Sequence, residues 1–311
     1  MNLNTKVYFP KEFIDKYEKI LGKIENKNFL ESCSIKLTKA IRINKLKVDS
    51  ITEIDILKDL ELEEISYLKG TYLIKSKVSA IGNTIEQLTG QFQIQEVSSL
   101  LPVIILDPKP GEVVLDLTAA PGNKTSYIAE KMNNTGLIVA NEIDNKRIKI
   151  LIYTLKKLGV TNTIITNFDG RKLDLGLKFD KILLDAPCSC EGEIKKKTDV
   201  LKNWNEKLVL SKSKLQKELI TNAFNLLKTG GTLVYSTCTH SPEENEEVID
   251  YLIKKQKNIL IEKIEIPKLL TKNGLLEYNS KKYNQQIENS IRIWPQHTNL
   301  EGFFICKIKK L

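Results

Sequence analysis

Two loops of the sequence combine cysteine with other reactive side chains at the end of an apolar strand. The first loop runs Leu184-Asp-Ala-Pro-Cys-Ser-Cys190, and the second runs from Tyr235 to Glu244 with Cys238 near its middle. Ser241-Pro-Glu-Glu244 predicts a capping box with proline at the first helical position. We therefore expect Cys238 to lie just before a helix N-terminus, where the partial positive charge would favour its thiolate.

Three groups in these loops match the needs of one reaction, methylation at carbon 5 of cytosine. That carbon is too weak a nucleophile to attack a sulfonium methyl group, but a thiolate added at carbon 6 makes it enamine-like. A carboxyl group at the nitrogen-3 edge balances the charge. We predict Cys238 as the nucleophile, Asp185 as the carboxyl group and Cys188 as an aid to release. A lone cysteine is more often a small buried apolar residue, but that reading leaves the second cysteine and the carboxylate unexplained.

Further polar residues follow three consecutive predicted strands. Glu142 ends the second strand, where an acidic residue is placed to bind ribose hydroxyls. Asp169 follows the third strand and could accept a hydrogen bond from an adenine amino group. The loop after the first strand lacks the G-x-G-x-x-G of dinucleotide binders, which S-adenosylmethionine does not need because it has no pyrophosphate. The predicted S-adenosylmethionine site comprises Thr118, Ala119, Ala120, Pro121, Gly122, Asn123, Lys124, Glu142, Arg147, Asp169 and Asp185.

Strands and helices alternate from Val113 onward and position these groups. The predicted strands are 113–117, 137–141, 163–166, 181–184 and 232–236, and the predicted helices are 124–132, 145–158, 215–227 and one from Pro242. Gly230-Gly231 is expected to close the third of these helices. The alternation predicts an α/β fold whose parallel sheet is covered on both faces, with ligands outside the carboxyl ends of its strands.

The composition predicts a folded protein with a basic surface. The chain has 311 residues, of which 41% are hydrophobic and 28% charged, and its net charge is +9. Residues 1–110 hold 16 Lys and Arg against 15 Asp and Glu, so most of the excess lies beyond them. A basic surface suits a polyanionic partner. No apolar run approaches the ~20 residues of a membrane span, and Met1 to Pro10 lack a signal-peptide pattern, so we expect a cytoplasmic protein without a membrane partner.

The five cysteines were also weighed as a disulfide framework or a metal site. An odd number in a cytoplasmic chain argues against disulfides. Cys188, Cys190, Cys238 and His240 could in principle form a Cys3His zinc set, but their C-x-C and C-x-H spacings differ from the usual C-x2-4-C. We therefore predict no metal.

With these residues in hand, the chain resembles the Nol/Nop/Sun family of RNA cytosine-5 methyltransferases, and in particular the archaeal-type enzymes that act on tRNA. The motifs that carry the resemblance are Thr38–Asn44, Gly90–Glu96, Asp116–Thr125, Asp185–Ser189, Ser236–Cys238, Glu244–Glu246 and Gly302–Phe304. The resemblance implies Cys238 as nucleophile and Cys188 in product release. It also implies a Rossmann-like class I methyltransferase domain (91–311), with a mostly parallel seven-stranded sheet, and a smaller N-terminal α+β RNA-recognition-like domain (1–90).

The sequence departs from the family pattern at a few positions. Thr118 stands where the family often has cysteine, Asn123 where it has glycine or serine, and Cys190 where it usually has glycine. Trp294-Pro-Gln-His297 has an extra residue before its histidine, and core packing is the expected role of Trp294 and His297.

Alternatives remain open at this point. A DNA cytosine-5 methyltransferase would use Cys188 as its Pro-Cys nucleophile, but that family lacks the second cysteine. A non-catalytic RNA-binding or assembly factor would not need Asp185, Cys188 and Cys238. We expect tRNA as the substrate, with rRNA open, and phosphate contacts from Lys195, Lys196, Lys197, Lys202, Lys207, Lys212 and Lys214.

Overall fold

The computed structural model describes residues 7–76 and 81–311. Of the segment Met1–Pro10, which lacks a signal-peptide pattern, residues 1–6 lie outside the described residues. The helices are α1 Lys11–Leu21, α2 Lys23–Cys33, α3 Asp55–Lys58, α4 Ile85–Leu88, α5 Leu101–Leu106, α6 Asn123–Lys131, α7 Asn145–Lys157, α8 Val200–Asn203, α9 Glu206–Leu226, α10 Glu246–Lys255 and α11 Pro295–Thr298. The strands are β1 Ala40–Ile43, β2 Leu62–Glu64, β3 Thr71–Ile74, β4 Phe92–Ile94, β5 Val113–Asp116, β6 Leu137–Asn141, β7 Thr163–Thr166, β8 Phe179–Asp185, β9 Leu227–Thr237, β10 Ile259–Glu262, β11 Lys272–Asn273, β12 Glu277–Tyr278, β13 Lys281–Lys282, β14 Ile291–Ile293 and β15 Phe303–Lys310.

The central sheet is mixed, and its parallel half consists of the strands β5 to β9. Its order is β11-β14-β15-β9-β8-β5-β6-β7, with β10 paired to β15. The strands β5 to β9 pair in parallel, whereas β15 is antiparallel to β9. The predicted α/β fold with a mostly parallel sheet is confirmed. The sheet has nine strands where seven were predicted, because short antiparallel strands near the C-terminus extend its edge.

The strands are apolar on both faces, as a sheet covered by helices requires. On β8, Ile182 and Leu184 pack with α9 and α10, while Leu183 between them packs with α5 and α6 on the opposite face. Successive side chains of a strand point to opposite faces, so an unbroken apolar run produces two cores. Because the strands β5 to β9 run parallel to one another, their carboxyl ends meet at one edge of the sheet, which carries the candidate site.

A separate four-stranded antiparallel sheet, ordered β2-β3-β1-β4, lies N-terminal to the central sheet. The predicted domain boundary after residue 90 stays a prediction. The strand β4 follows that boundary in sequence, although it pairs with β1 of the small sheet. The helices α1 and α2 contribute to a different apolar core from that of this small sheet. They pack Phe13, Tyr17 and Phe29 into an aromatic cluster with Trp204 and Trp294 of the larger part.

The prediction that Gly230-Gly231 closes a helix was wrong. The helix α9 ends at Leu226, and both glycines lie within β9. The pairing of β8 with β9 steps from Phe179↔Leu227 to Lys181↔Thr232, so residues 228–231 form a bulge. Gly230 has φ +77°, which glycine adopts at little cost.

No helix in the described ranges is long and apolar enough to cross a membrane.

Candidate active site

The two cysteine loops meet where β8 and β9 end. These strands are parallel neighbours in which Asp185 is paired with Ser236. The chain leaves both strands in the same direction, and the Sγ atoms of Cys188 and Cys238 lie 3.2 Å apart. Two of the predicted catalytic groups are thus brought together although 50 residues separate them in sequence.

The carboxylate of Asp185 lies at the same edge and is held from two sides. Its Oδ2 accepts a 2.6 Å hydrogen bond from Lys124 Nζ, and its Oδ1 accepts a 2.8 Å bond from the Ser236 hydroxyl. Thr118 donates through its Oγ1 to the backbone oxygen of Asp185 at 2.8 Å. Burial alone would lower the pKa of Lys124, but the charge and hydrogen bond of Asp185, together with the charges of Cys238 and Asp116, outweigh it and raise that pKa. Lys124 therefore remains a cation beside Asp185.

The predicted capping box does not form. The helix α10 begins at Glu246, with Asn245 at its N-cap and no side-chain cap. Ser241 instead donates to Glu191 Oε1 at 2.7 Å and accepts from Lys16 Nζ at 2.8 Å. Glu244 accepts the N–H of Ser189 at 3.0 Å. Long-range partners have taken both side chains that the local motif would have used.

The helix N-terminus therefore gives no reason for a Cys238 thiolate. The contact with the Cys188 thiol, followed by that with Cys190 and by burial, raises the pKa of Cys238. Contacts from Cys188 and Cys238 lower the pKa of Cys190 to about 3. The three thiols thus share one readily formed negative charge, since a second thiolate beside the first is disfavoured.

Glu191 is the residue of this site that sequence reasoning missed. It is buried, yet it accepts hydrogen bonds from the side chains of Tyr17, Trp204, Thr239 and Ser241 and from the N–H of His240. Burial would raise its pKa, but Lys16 and these bonds lower it. Because the bonds come from the second cysteine loop and from α1, this carboxylate ties both elements to the first loop. Nothing in the sequence near Glu191 signals that role.

The predicted cofactor loop joins β5 to α6. Arg147 Nη2 donates to the Ala120 oxygen at 2.6 Å and so holds the loop from α7. Gly122 has φ +104°, and a Cβ there would lie 2.9 Å from Leu151 Cδ1. The glycine is thus needed where α7 approaches the loop, in addition to any contact with a ligand.

Glu142 directly follows β6 and has a carboxylate oxygen that lacks a hydrogen bond among the described residues. The residue is 3% exposed, and its Oε1 accepts the N–H of Asp144 at 3.0 Å. Its Oε2 lies 3.2 Å from Arg147 Nη1, within ion-pair reach, but has no aligned hydrogen-bond donor among the described residues. A buried oxygen of this kind normally has a donor, and a ligand hydroxyl would supply one.

Asp169 follows β7, and its predicted contact with adenine stays a prediction. Its carboxylate pairs with Arg171 at 2.6 Å, and Arg171 also reaches Glu218 at 3.1 Å. Beside the two predicted acidic residues lie Ile143 and Phe168, which are 60% and 54% exposed. Sequence reasoning missed this apolar pair. The position of the two residues could have indicated it, because Ile143 directly follows Glu142 and Phe168 directly precedes Asp169. A flat apolar ligand would cover both side chains.

The Cys3His set that the cysteine spacing argued against is not assembled, because His240 lies elsewhere. Its ring stacks on Trp294 at 4.3 Å between centroids, and burial lowers its pKa to about 3. Cys188, Cys190 and Cys238 do lie together, with their sulfur atoms within 4.8 Å of one another. Core packing of Trp294 is confirmed by its burial, and His297 bonds Glu25 through Nε2 at 2.6 Å.

Known proteins resemble this chain over nearly its whole length. The family model described as 16S rRNA methyltransferase RsmB/F matches residues 103–309, and the one described as the N-terminal domain of 16S rRNA methyltransferase RsmF matches residues 9–97. The tRNA (cytosine(49)-C(5))-methyltransferase of Pyrococcus abyssi is 41% identical, over 96% of each chain.

Two further relatives differ in how much of them the chain spans. The ribosomal RNA small subunit methyltransferase F of Vibrio campbellii is 38% identical over 99% of this chain but only 65% of its own length. The chain thus spans about two thirds of that relative. The crystal structure of NSun6 from Pyrococcus horikoshii with SFG superposes with a TM-score of 0.84 at 25% identity, covering 98% of this chain and 99% of that one.

Proposed function

Because the chain belongs to the RsmB/F methyltransferase family, we propose that it transfers a methyl group from S-adenosylmethionine to carbon 5 of cytosine in RNA. The observation that carries this proposal is the 3.2 Å separation of the Cys188 and Cys238 sulfurs beside the Asp185 carboxylate. Cytosine methylation needs a nucleophile, a carboxyl group and a group that assists release within reach of one ring.

The cofactor proposal rests on the residues at the ends of β5, β6 and β7. Glu142 Oε2, which faces Arg147 but has no aligned hydrogen-bond donor among the described residues, fits a ribose hydroxyl, and the exposed Ile143 and Phe168 fit an adenine ring. The NSun6 relative was solved with SFG, an analogue of S-adenosylmethionine. When bound, S-adenosylmethionine supplies a methyl group activated by its sulfonium.

A Glu142→Ala substitution is expected to weaken cofactor binding by about tenfold or more. A hydrogen bond to a charged group contributes about 1.5–3 kcal/mol, and the variant loses that acceptor. Calorimetric titration with S-adenosylmethionine measures the change, with Glu12→Ala, on an exposed face of α1, as the control. Equal affinities for the two variants, with both folded, would remove Glu142 from the site.

The chain's own residues divide the reaction among them. The Cys238 thiolate adds to carbon 6, and Asp185 hydrogen-bonds or protonates the nitrogen-3 edge so that carbon 5 becomes nucleophilic. Lys124 keeps Asp185 oriented and offsets its charge. After methyl transfer, a base at the site takes the proton from carbon 5, the electron pair of that C–H bond re-forms the ring double bond, and Cys238 leaves carbon 6 as a thiolate. Cys188, next to Cys238, assists this release.

We favour tRNA as the substrate over rRNA. The tRNA-acting relative is 41% identical to this chain, whereas the rRNA-acting relative is 38% identical. Incubating the enzyme with labelled S-adenosylmethionine and either tRNA or rRNA transcripts tests the choice, and bisulfite sequencing locates the product. Labelled tRNA supports the proposal, labelled rRNA alone would redirect it to rRNA, and label in neither RNA would favour a non-catalytic factor.

RNA affinity is expected to fall by at least about tenfold between about 50 and 200 mM salt, because phosphate contacts release counterions. Of the predicted phosphate-binding lysines, Lys196, Lys197 and Lys202 lie in ion pairs with carboxylates. The exposed α9 residues Lys207 and Lys214 are better placed. Replacing both by alanine should reduce the salt slope by about one per lysine. An affinity that ignores salt would overturn this part of the proposal.

A further inference from the structure

Cys188, Cys190 and Cys238, which we call the thiol cluster, gather three sulfur atoms from two loops. All three sulfurs lie within 4.8 Å of one another, and those of Cys188 and Cys238 are 3.2 Å apart. Zinc holds thiolate sulfurs at about 2.3 Å, which places ligands of one ion about 3.8 Å from each other. The cluster is therefore already close to the spacing that one ion requires.

One carboxylate lies beside the cluster. Glu193 Oε1 is 3.5 Å from the Cys238 sulfur, and Glu193 is partly exposed. The three sulfurs provide three of the four ligands that soft or borderline divalent cations such as Zn²⁺ and Cd²⁺ take, which leaves the fourth position to water or, after a side-chain movement, to Glu193. The side chains of Lys124 and Lys197, which neighbour the thiol cluster, bring positive charge that offsets part of the negative charge of the thiolates.

The sequence spacing concealed this arrangement. Cys188 and Cys190 form a C-x-C pair, and the third sulfur comes from a loop 50 residues away from Cys188. C-x2-4-C spacing is typical of metal sites built on one short loop, whereas here the parallel pairing of β8 with β9 supplies the third ligand.

We propose that the thiol cluster binds one thiophilic divalent cation, and that this ion withdraws Cys238 from reaction. A thiolate that is bound to the metal is not available to attack carbon 6 or an alkylating reagent. The consequence for methylation rests on the proposed function, whereas the binding site itself does not. The ion is an inhibitor in this account, and the methyl transfer proposed above needs no metal.

Cys190 offers the most specific variant. It has φ +61°, a left-handed conformation that glycine adopts freely. Cys190→Gly therefore removes one ligand without straining the backbone. Cys33→Ala is the matched control, because Cys33 is a buried cysteine in α2, outside the cluster.

The test is a titration of the full-length, reduced protein with Cd²⁺, followed by thiolate-to-cadmium charge-transfer absorption. We expect one ion per chain for the unaltered protein and for Cys33→Ala. Cys190→Gly should bind at least about 100-fold more weakly, since loss of a supporting residue outside the ligand set already costs about 10–100-fold. No charge-transfer band in the unaltered protein, or equal titrations for Cys190→Gly and Cys33→Ala, would overturn the proposal.

A second readout separates this proposal from the proposed function. Bound Zn²⁺ should protect Cys188 and Cys238 from iodoacetamide, as mapped by mass spectrometry, and unchanged alkylation would also overturn the site. If the metal-free enzyme methylates no RNA, the proposed function fails while the titration still reports on the metal. If the ion binds and protects both cysteines but methylation continues, the inhibitory part of the proposal fails.

Discussion

Glu246→Ala is expected to lower the free energy of unfolding by about 3–5 kcal/mol, because it leaves a buried arginine without its counter-charge. Arg292 and Glu246 are 1% and 0% exposed in their side chains. Arg292 Nε donates to Glu246 Oε1 at 2.6 Å, and its Nη1 donates to the His240 oxygen at 2.9 Å. The same arginine thus anchors the start of α10 and the loop that carries Cys238.

Urea unfolding followed by circular dichroism measures this loss. Asp199→Ala is the control, because its pair with Lys202 is about three-quarters exposed and an exposed pair contributes about 0–1 kcal/mol. We also expect Arg292→Met combined with Glu246→Leu to be less destabilising than the sum of the single changes, since no unpaired charge stays buried. A Glu246→Ala effect as small as that of Asp199→Ala would contradict the account of this pair.

Cys238→Ala is expected to reduce methyl transfer by at least about 10³-fold, as removal of a catalytic nucleophile commonly does. Alanine cannot form the bond to carbon 6, and carbon 5 then stays unreactive. Cys33→Ala, in a buried cysteine outside the site, should keep the original rate. Initial rates of labelled methyl transfer to tRNA measure both variants. A Cys238→Ala enzyme within tenfold of the original rate would exclude a covalent role for this cysteine.

Local sequence patterns predicted the strands and helices well where the pattern within an element did not depend on residues elsewhere in the chain. The strands β6 and β7 have the bounds predicted for them, and α7 differs from the prediction only at its end. Apolar runs with turn residues on either side do not need distant partners to be recognised. The placement of Asp185, Cys188 and Cys238 at one edge followed from the parallel sheet, because such strands end on the same side.

The errors came where distant residues compete for a side chain. Ser241 and Glu244 have the right types for a cap, but Glu191, Lys16 and Ser189 bind them instead. The position of His240 against Trp294, and the gathering of Cys190 with the other two thiols, depend equally on packing between loops far apart in sequence. A single sequence does not display such contacts.

The most direct measurement of the central claim is one denaturing gel of Cys238→Ala and Cys188→Ala, each incubated with RNA and S-adenosylmethionine. Cys188→Ala can still attack and methylate but should release slowly, so a covalent protein–RNA band should survive. Cys238→Ala should show no such band. A band with Cys238→Ala and none with Cys188→Ala would contradict the account, because it would make Cys188 the nucleophile.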